Sequence, residues 1–201
     1  MEPYFLEKYD AKDRFISYWH QIHEALKAKP KRLLEIGIGN GLVNRYLKDR
    51  GVKVTTLDLD WRLSPDITGT VLSLPITSNM FDVILCCEVL EHLPYENFIP
   101  TLKELWRVSS KVLILSLPDA TTVYRIEIEL PRLKPIRKLL AHPFPRATPH
   151  VFDGEHYWEI GKKGYLSKRI EEDIQKAGFR ISETYRIFEF TYHRFFVLQK
   201  Q

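Results

Sequence analysis

Cysteine is nearly missing from this chain. Of its 201 residues only Cys86 and Cys87 are cysteines, and they are adjacent. On a strand their side chains point to opposite faces, so they make poor disulfide partners and form no zinc cluster. Buried free thiols fit a reducing compartment, and the expected location is cytoplasmic. Long apolar runs are also missing. No stretch approaches the roughly 18 residues of a membrane span, and Met1-Glu2-Pro3-Tyr4 lacks the basic-then-apolar pattern of a signal peptide. There is no internal repeat and no low-complexity segment. Charge of one sign is scarce too: 30 Lys and Arg stand against 26 Asp and Glu, a net +4, with a pI near 8.9. That balance permits an anionic partner without indicating one. What remains is 44% hydrophobic and 28% charged, an ordinary composition for one globular domain over residues 1–201.

The few glycines are concentrated where they say most. Leu33-Leu34-Glu35-Ile36-Gly37-Ile38-Gly39-Asn40-Gly41 runs from apolar residues through an acid into three glycines at alternate positions. A buried strand that stops in a tight loop reads this way, because glycine tolerates positive φ and lets backbone approach a ligand closely. Leu42, Val43, Tyr46 and Leu47 then recur at helical spacing. Strand, glycine loop and helix together make the nucleotide-binding first crossover of an open α/β sheet.

Around this unit the chain is read in order. Residues 9 to 28 form a helix with Phe15, Ile16, Trp19, Ile22, His23 and Leu26 as its apolar stripe, stopped at Lys29-Pro30. The first strand is Arg32 to Ile36, and the second, Val52 to Leu59, carries Asp58 at its carboxyl end, where a carboxylate meets the ribose of a ligand held over the first strand. Asp60 to Gly69 is too short for a crossover helix and holds Pro65, so a turn or short helix precedes the next apolar piece, Thr70 to Leu74. Phe81 to Cys87 is a buried parallel strand, ending in the Glu88-Val89-Leu90-Glu91-His92-Leu93-Pro94 loop. Phe98 to Val108 is a helix with Leu102, Leu105 and Trp106 inward, and Lys111 to Leu117 is a further strand. From about 119 to 155 the rhythm breaks: five prolines (Pro131, Pro135, Pro143, Pro145 and Pro149) and six Arg and Lys residues fall there. Such an excursion at a sheet's carboxyl edge suits an acceptor or lid segment, and Ile126 to Leu140 reads as a proline-interrupted helix within it. A helix from about Lys163 to Ala177 and a tight hairpin of Arg180 to Phe188 with Phe190 to Leu198 close the chain.

Taken in this order, Leu34-Glu35-Ile36-Gly37-Ile38-Gly39-Asn40-Gly41, Leu57-Asp58, Leu74-Pro75, Phe81-Asp82-Val83-Ile84, Glu88 to Leu93 and Glu104-Leu105-Trp106-Arg107-Val108 resemble a class I S-adenosylmethionine-dependent methyltransferase of the methyltransferase domain 11/12 type. The resemblance is close over residues 31 to 118 and holds by pattern over 156 to 198. It implies a three-layer Rossmann-like α/β fold, with a mostly parallel seven-stranded sheet of order 3-2-1-4-5-7-6 and strand 7 antiparallel. It also implies S-adenosylmethionine as cofactor, leaving as S-adenosylhomocysteine. The methionine part would lie against Glu35, Gly37 and Gly39 in the loop that continues through Asn40 and Gly41. The ribose would sit on Asp58, the adenine between Leu59 and Ser73-Leu74, and Glu88 would border the methyl group. Two departures stand out: the short segment after Asp58, and Ser109-Ser110-Lys111 in place of a proline-glycine-glycine turn. A nicotinamide dinucleotide fits less well, since its fingerprint wants glycine at the sixth position from Gly37, where Leu42 stands.

The acceptor is less legible. Methyl transfer from a sulfonium needs alignment and exclusion of water, and no metal-ligand spacing is apparent in the sequence. A hydroxyl acceptor would require a base, for which His92, His150 and His156 are candidates. Against this, His92 also suits a structural role holding its loop, and the other two suit plain loop positions. Tyr124, Tyr157 and Trp158 fit either an acceptor pocket or packing beneath a lid. The place after the fourth strand reads Cys87-Glu88-Val89-Leu90, not the Asn/Asp-Pro-Pro-aromatic loop of DNA base-amino methylases, so DNA is excluded as acceptor. A small or medium-sized acceptor comes first, anionic if the basic excursion holds it. A protein or RNA acceptor comes second, and a non-catalytic cofactor-binding module is a reading of another class.

Overall fold

The protein is described by a computed structural model over residues 10–143 and 146–200. Residue 9, the expected helix start, and Pro145 lie outside the described residues. At the centre is β1 (Arg32–Ile36), paired in parallel on one side with β2 (Lys53–Asp58) and on the other with β4 (Phe81–Cys87). The seven-stranded sheet has the order β3-β2-β1-β4-β5-β9-β8, where β3 is Ile67–Thr68, β5 Ser109–Pro118, β8 Phe179–Arg186 and β9 His193–Lys200. β9 runs antiparallel to both its neighbours. This is the expected topology.

Because side chains alternate along a strand, the two faces of the sheet bury two different sets of residues. Leu34, Ile36, Ile84, Cys86, Leu113, Leu115 and Phe196 meet α3 (Phe98–Val108) and α4 (Ser167–Lys176) on one face. Leu33, Val83, Leu85, Ile114 and Phe195 meet α1 (Lys12–Lys27) and α2 (Leu42–Asp49) on the other. Cys86 and Cys87 fall on opposite faces as free thiols. Burying each such leucine or isoleucine stabilises by about 1.5–3 kcal/mol, so truncating Leu34 would loosen the strand that carries the glycine loop. Among the described residues no helix is long and apolar enough to cross a membrane.

Several elements differ from the sequence reading. In α1 the buried residues are Ser17, Gln21, Glu24 and Ala25, while Phe15 and Trp19 are exposed. The polar face turns inward because it has partners there: Ser17 with His193 Nδ1 at 2.8 Å, and Glu24 accepting from the Tyr185 hydroxyl at 3.2 Å. The third strand is Ile67–Thr68, not Thr70 to Leu74; Asp66 accepts from both the N–H and the hydroxyl of Thr56 and fastens the segment early. A short 3-10 turn at Trp61–Leu63 occupies the shortened crossover, as expected. Ser109 and Ser110 already belong to β5 and make no turn. In α3, Leu102 and Leu105 are buried as expected, and Trp106 is half-buried with its indole N–H donating to Gly178 O at 3.1 Å.

The expected helix over Ile126 to Leu140 is instead a separate hairpin, β6 (Val123–Ile128) with β7 (Ile136–Ala141). In β6, Tyr124, Ile126 and Ile128 recur every second position and share a face with Ile136 and Leu140 of β7, and Pro131 and Pro135 sit in the connection, where they cost no ladder hydrogen bond. α4 starts later than expected, at Ser167, and ends at Ala177-Gly178 as read. The final hairpin is not tight. Ile187 is buried and Arg186 donates to the carbonyls of Thr121 and Asp119, so residues 187–192 form a loop between β8 and β9.

Candidate functional site

The carboxyl ends of β1, β2 and β4 open into a cleft of ≈ 640 Å³, within the range typical of small-molecule sites. On one side, β1 ends at Gly37, whose φ of +79° and N–H bond to Leu57 O at 2.9 Å turn the chain sharply. A Cβ at Gly37 would stand 2.6 Å from Val89 Cγ2, so only glycine fits. Asp58 braces this loop: Oδ2 accepts from Ile38 N–H at 2.8 Å and Oδ1 from Asp60 N–H at 2.9 Å. Each oxygen keeps a lone pair for a ligand hydroxyl. Glu35 is 4% exposed, its Oε2 has no hydrogen-bond partner, and burial pushes its pKa up to about 8. At neutral pH this buried acid is therefore mostly protonated, with one oxygen unused beside the cleft.

The other side is made by the loop after β4 and by residues 152–157 on the return limb of the excursion. Pro118 and Ile160, at the two ends of the excursion, are joined by Ile160 N–H to Pro118 O at 3.0 Å, with Ala120 N–H donating to Ile160 O at 2.8 Å. The return limb is then stapled onto the β4 loop. Tyr157 N–H donates to Glu91 O at 2.8 Å, Trp158 Nε1–H to Leu93 O at 3.1 Å, and His92 Nδ1 bonds Glu155 O at 2.9 Å. Asp153 Oδ1 accepts from the N–H groups of Glu155 and His156, fixing the turn that presents His156. Glu88 has φ +55°, a strained value for a residue with a side chain, and strain of this kind gathers at functional sites. Its carboxylate accepts from Ser116 Oγ at 2.8 Å and lies 3.3 Å from His193 Nε2. Burial raises the Glu88 pKa, and burial holds His193 neutral with a pKa of about 3. Glu159 beside His156 raises the histidine's pKa, whereas burial lowers that of His92.

Of the residues singled out in the sequence, Glu35, Gly37, Gly39, Asn40, Asp58, Leu59, Glu88, His92 and His156 line this one cleft. Gly41 does not; it precedes α2 at φ +73° and borders a smaller hollow of ≈ 220 Å³. Ser73 and Leu74 also fall outside the lining. Leu74 is buried and donates its N–H to Glu104 at 2.8 Å, and Gly69, Thr70 and Val71 occupy the wall instead. His150 stands back from the cleft, bonding His156 O through Nε2 at 2.8 Å. Tyr157 reaches the cleft, Trp158 is wholly buried in the core, and Tyr124 lies out on the β6–β7 hairpin. Sequence reasoning missed Arg14, Tyr18 and Gln21 of α1, Phe152, Tyr192 and Glu91 as lining residues. For Glu91 a signal existed in the Glu88-x-x-Glu91-His92 spacing; for the others none is local.

With this geometry in view, comparison with known proteins is informative. Residues 34–112 match the family model of the methyltransferase domain. No curated protein matches the chain. Among solved structures, an S-adenosylmethionine-dependent methyltransferase from Clostridium acetobutylicum superimposes with a TM-score of 0.64 at 11% identity, covering 96% of each chain. The magnesium protoporphyrin IX methyltransferase of Synechocystis, with bound S-adenosylhomocysteine, gives 0.62 at 16%, covering 94% of this chain and 86% of its own. The 1,6-didemethyltoxoflavin-N1-methyltransferase of Burkholderia thailandensis gives 0.58 at 14%, covering 92% and 77%. At such identities the structural likeness is one of fold. The family match covers β1, the glycine loop, β2, β4 and its loop, the elements that build the cleft, and with the shared fold it supports S-adenosylmethionine-dependent methyl transfer.

Proposed function

We propose that this enzyme methylates a small molecule lodged between the β4 loop and the return limb, with the donor held along β1 and β2. The observation that carries the reading is the single cleft running from Asp58 and Glu35 to His92, His156 and Tyr157. Glu35 and the glycine loop receive the methionine end, Asp58 the ribose, and Leu59 with Thr70 and Val71 the adenine. Glu35 fits this role because its orphaned buried oxygen would meet the amino acid's ammonium. The bound cofactor supplies an electrophilic methyl on a sulfonium, so the protein's work is to align the acceptor and exclude water. Where the acceptor is a hydroxyl, the Nε2 of His92 is placed to take its proton, since Nδ1 is engaged with Glu155 O.

The acceptor need not be anionic. Arg125 and Arg137 are turned to Glu189 and Glu127, and none of the excursion's Arg or Lys side chains lines the cleft. Support for a small acceptor comes from two proteins of this fold whose named acceptors are a toxoflavin precursor and magnesium protoporphyrin IX. One observation favours a macromolecular acceptor as second reading: Tyr124, Ile126, Ile128, Ile136 and Leu140 form an exposed apolar face on the hairpin. A non-catalytic module would want no room beside the donor, and the cleft offers room. The test is release of S-adenosylhomocysteine from S-adenosylmethionine with fractionated small-molecule pools. Acceptor-dependent release is expected. Release only with protein or RNA fractions would replace the first reading by the second, and no binding of either cofactor form by calorimetry would sink both.

A further inference from the structure

On the acceptor side of the cleft one buried carboxyl group is left unexplained. Glu91 is 0% exposed, and neither carboxylate oxygen has a hydrogen-bond partner among the described residues. Leaving a buried carboxylate bare costs more than leaving out almost any other side chain. Beside it stand two imidazoles, and the carboxyls of Glu88 and Glu159 and the guanidinium of Arg14 also act on its charge. One ligand atom each from Glu91, His92 and His156 lies within 4.8 Å of the others, and His92 Nε2 is 4.0 Å from Glu91 Oε1. Two atoms bound to one ion at about 2.1 Å each stand roughly 3 to 4.2 Å apart, so small side-chain rotations would close the set.

Both imidazoles are held from behind. His92 Nδ1 is taken by Glu155 O at 2.9 Å, and His156 Nδ1 by Glu159 Oε1 at 3.1 Å, with Tyr192 hydroxyl donating to that same oxygen. Such partners fix the tautomer and orient the remaining nitrogen's lone pair, as they do behind metal-bound histidines. A second grouping, Asp153, His156 and Glu159, lacks this character. Its carboxylates are already engaged, Asp153 with two backbone N–H groups and Glu159 with His156 and Tyr192.

From this we infer that Glu91, His92 and His156 bind a divalent transition cation whose open positions face the cleft and take the acceptor's oxygen. One carboxylate with two imidazoles suits Mn²⁺, Fe²⁺, Co²⁺ or Zn²⁺, and three protein ligands leave positions for solvent or substrate. The ion's use in catalysis rests on the methyl-transfer reading; its binding does not. With His92 Nε2 on the ion, the ion replaces that histidine as the activating group: a hydroxyl on the ion would lose its proton to water more readily, and its oxygen would then form a bond to the methyl carbon while the carbon–sulfur pair returns to sulfur. The preferred acceptor is then a hydroxylated or chelating small molecule.

The experiment titrates the whole protein with Mn²⁺ alone, reading free Mn²⁺ by electron paramagnetic resonance, with S-adenosylhomocysteine affinity measured on the same preparation. One saturable Mn²⁺ site per chain is expected, weakened at least tenfold in His92→Ala and in Glu91→Gln. Asp153→Asn should change it less than twofold. Since Glu91 is buried and its variant could misfold, half-exposed His92 keeps the test decisive. No saturable binding to the wild-type protein, or binding unchanged in His92→Ala, overturns the site. A chain that binds S-adenosylhomocysteine but not Mn²⁺ refutes the ion alone, whereas one that binds Mn²⁺ but not the cofactor refutes methyl transfer alone.

Discussion

The two sides of the cleft are made in different ways. The side we assign to the donor comes from neighbouring strand ends, where Glu35, Gly37 and Asp58 sit at the carboxyl edges of β1 and β2 and are fixed by sheet register, and the opposite side we assign to the acceptor. The acceptor side is assembled from distant pieces. His92 meets Glu155 across 63 residues, Tyr192 meets Glu159 across 33, and Ser17 meets His193 across 176. The donor side therefore has little freedom to vary without breaking the sheet, while the acceptor side can change its residues without touching the strands. One fold can in this way keep a donor and exchange acceptors.

The contrast can be broken most directly at Asp58. Replacing it with alanine removes both the proposed ribose acceptor and the brace on Ile38 N–H, and should weaken S-adenosylhomocysteine binding by about 30- to 100-fold, as two charge-assisted hydrogen bonds warrant. Calorimetry reads this, and an affinity within twofold of wild type would refute the ribose assignment. Next comes Gly37→Ala, which meets both Val89 Cγ2 at 2.6 Å and an unfavourable φ. A loss of about 1–3 kcal/mol in denaturant unfolding is expected, together with weaker cofactor binding.

Glu35 supplies a pH test. Its pKa in the free protein is raised to about 8 by burial, so below that pH the group is mostly protonated. A cationic ligand favours the ionised form, so binding should release up to one proton near pH 7, and affinity for S-adenosylhomocysteine should rise by up to about 50-fold from pH 6 to 8 and then flatten. Calorimetry in buffers of different ionisation enthalpy measures that proton directly; none released would remove Glu35 from the ammonium site.

On the acceptor side, Tyr157 packs against Phe152 at 4.7 Å between ring centres, the rings tilted by 42°. Tyr157→Ala should raise the acceptor KM about fivefold, the value of one aromatic contact, with cofactor affinity moved less than twofold. The smallest effect is expected furthest out. Ile126→Ser on the exposed hairpin face should change stability by less than about 0.5 kcal/mol and leave cofactor binding untouched. If it instead abolished methylation of a protein or RNA acceptor, the macromolecular reading would gain what the small-molecule reading lost.

The same division explains which readings held. Sheet order, the β1–loop–α2 unit and the cleft positions of Glu35, Gly37, Asp58, Glu88 and His92 could be read from residues close together in sequence. The misreadings share a cause. Hydrophobicity alone sets the expected α1 stripe; its Ile16, Ile22 and Leu26 do pack against the core, but Phe15 and Trp19 are exposed, and Ser17 and Glu24 are buried because their partners lie on other elements. The helix expected over the β6–β7 hairpin would cross two prolines, and Tyr124, Ile126 and Ile128 alternate as in a strand. Ser73-Leu74 was placed at the adenine by motif position, while a hydrogen bond from Leu74 N–H to Glu104 draws that segment beneath the sheet.

What the sequence alone determined is thus the donor side: an apolar run, a loop needing positive φ and an acid one strand away are local requirements of backbone and burial. Only the tertiary structure decided the acceptor side. Whether Glu91 is solvated or bare, and whether His92 and His156 face each other, depends on how residues 152–157 fold back over the β4 loop. Desolvation and long-range hydrogen bonds decide that, and neither is encoded in any short stretch of chain.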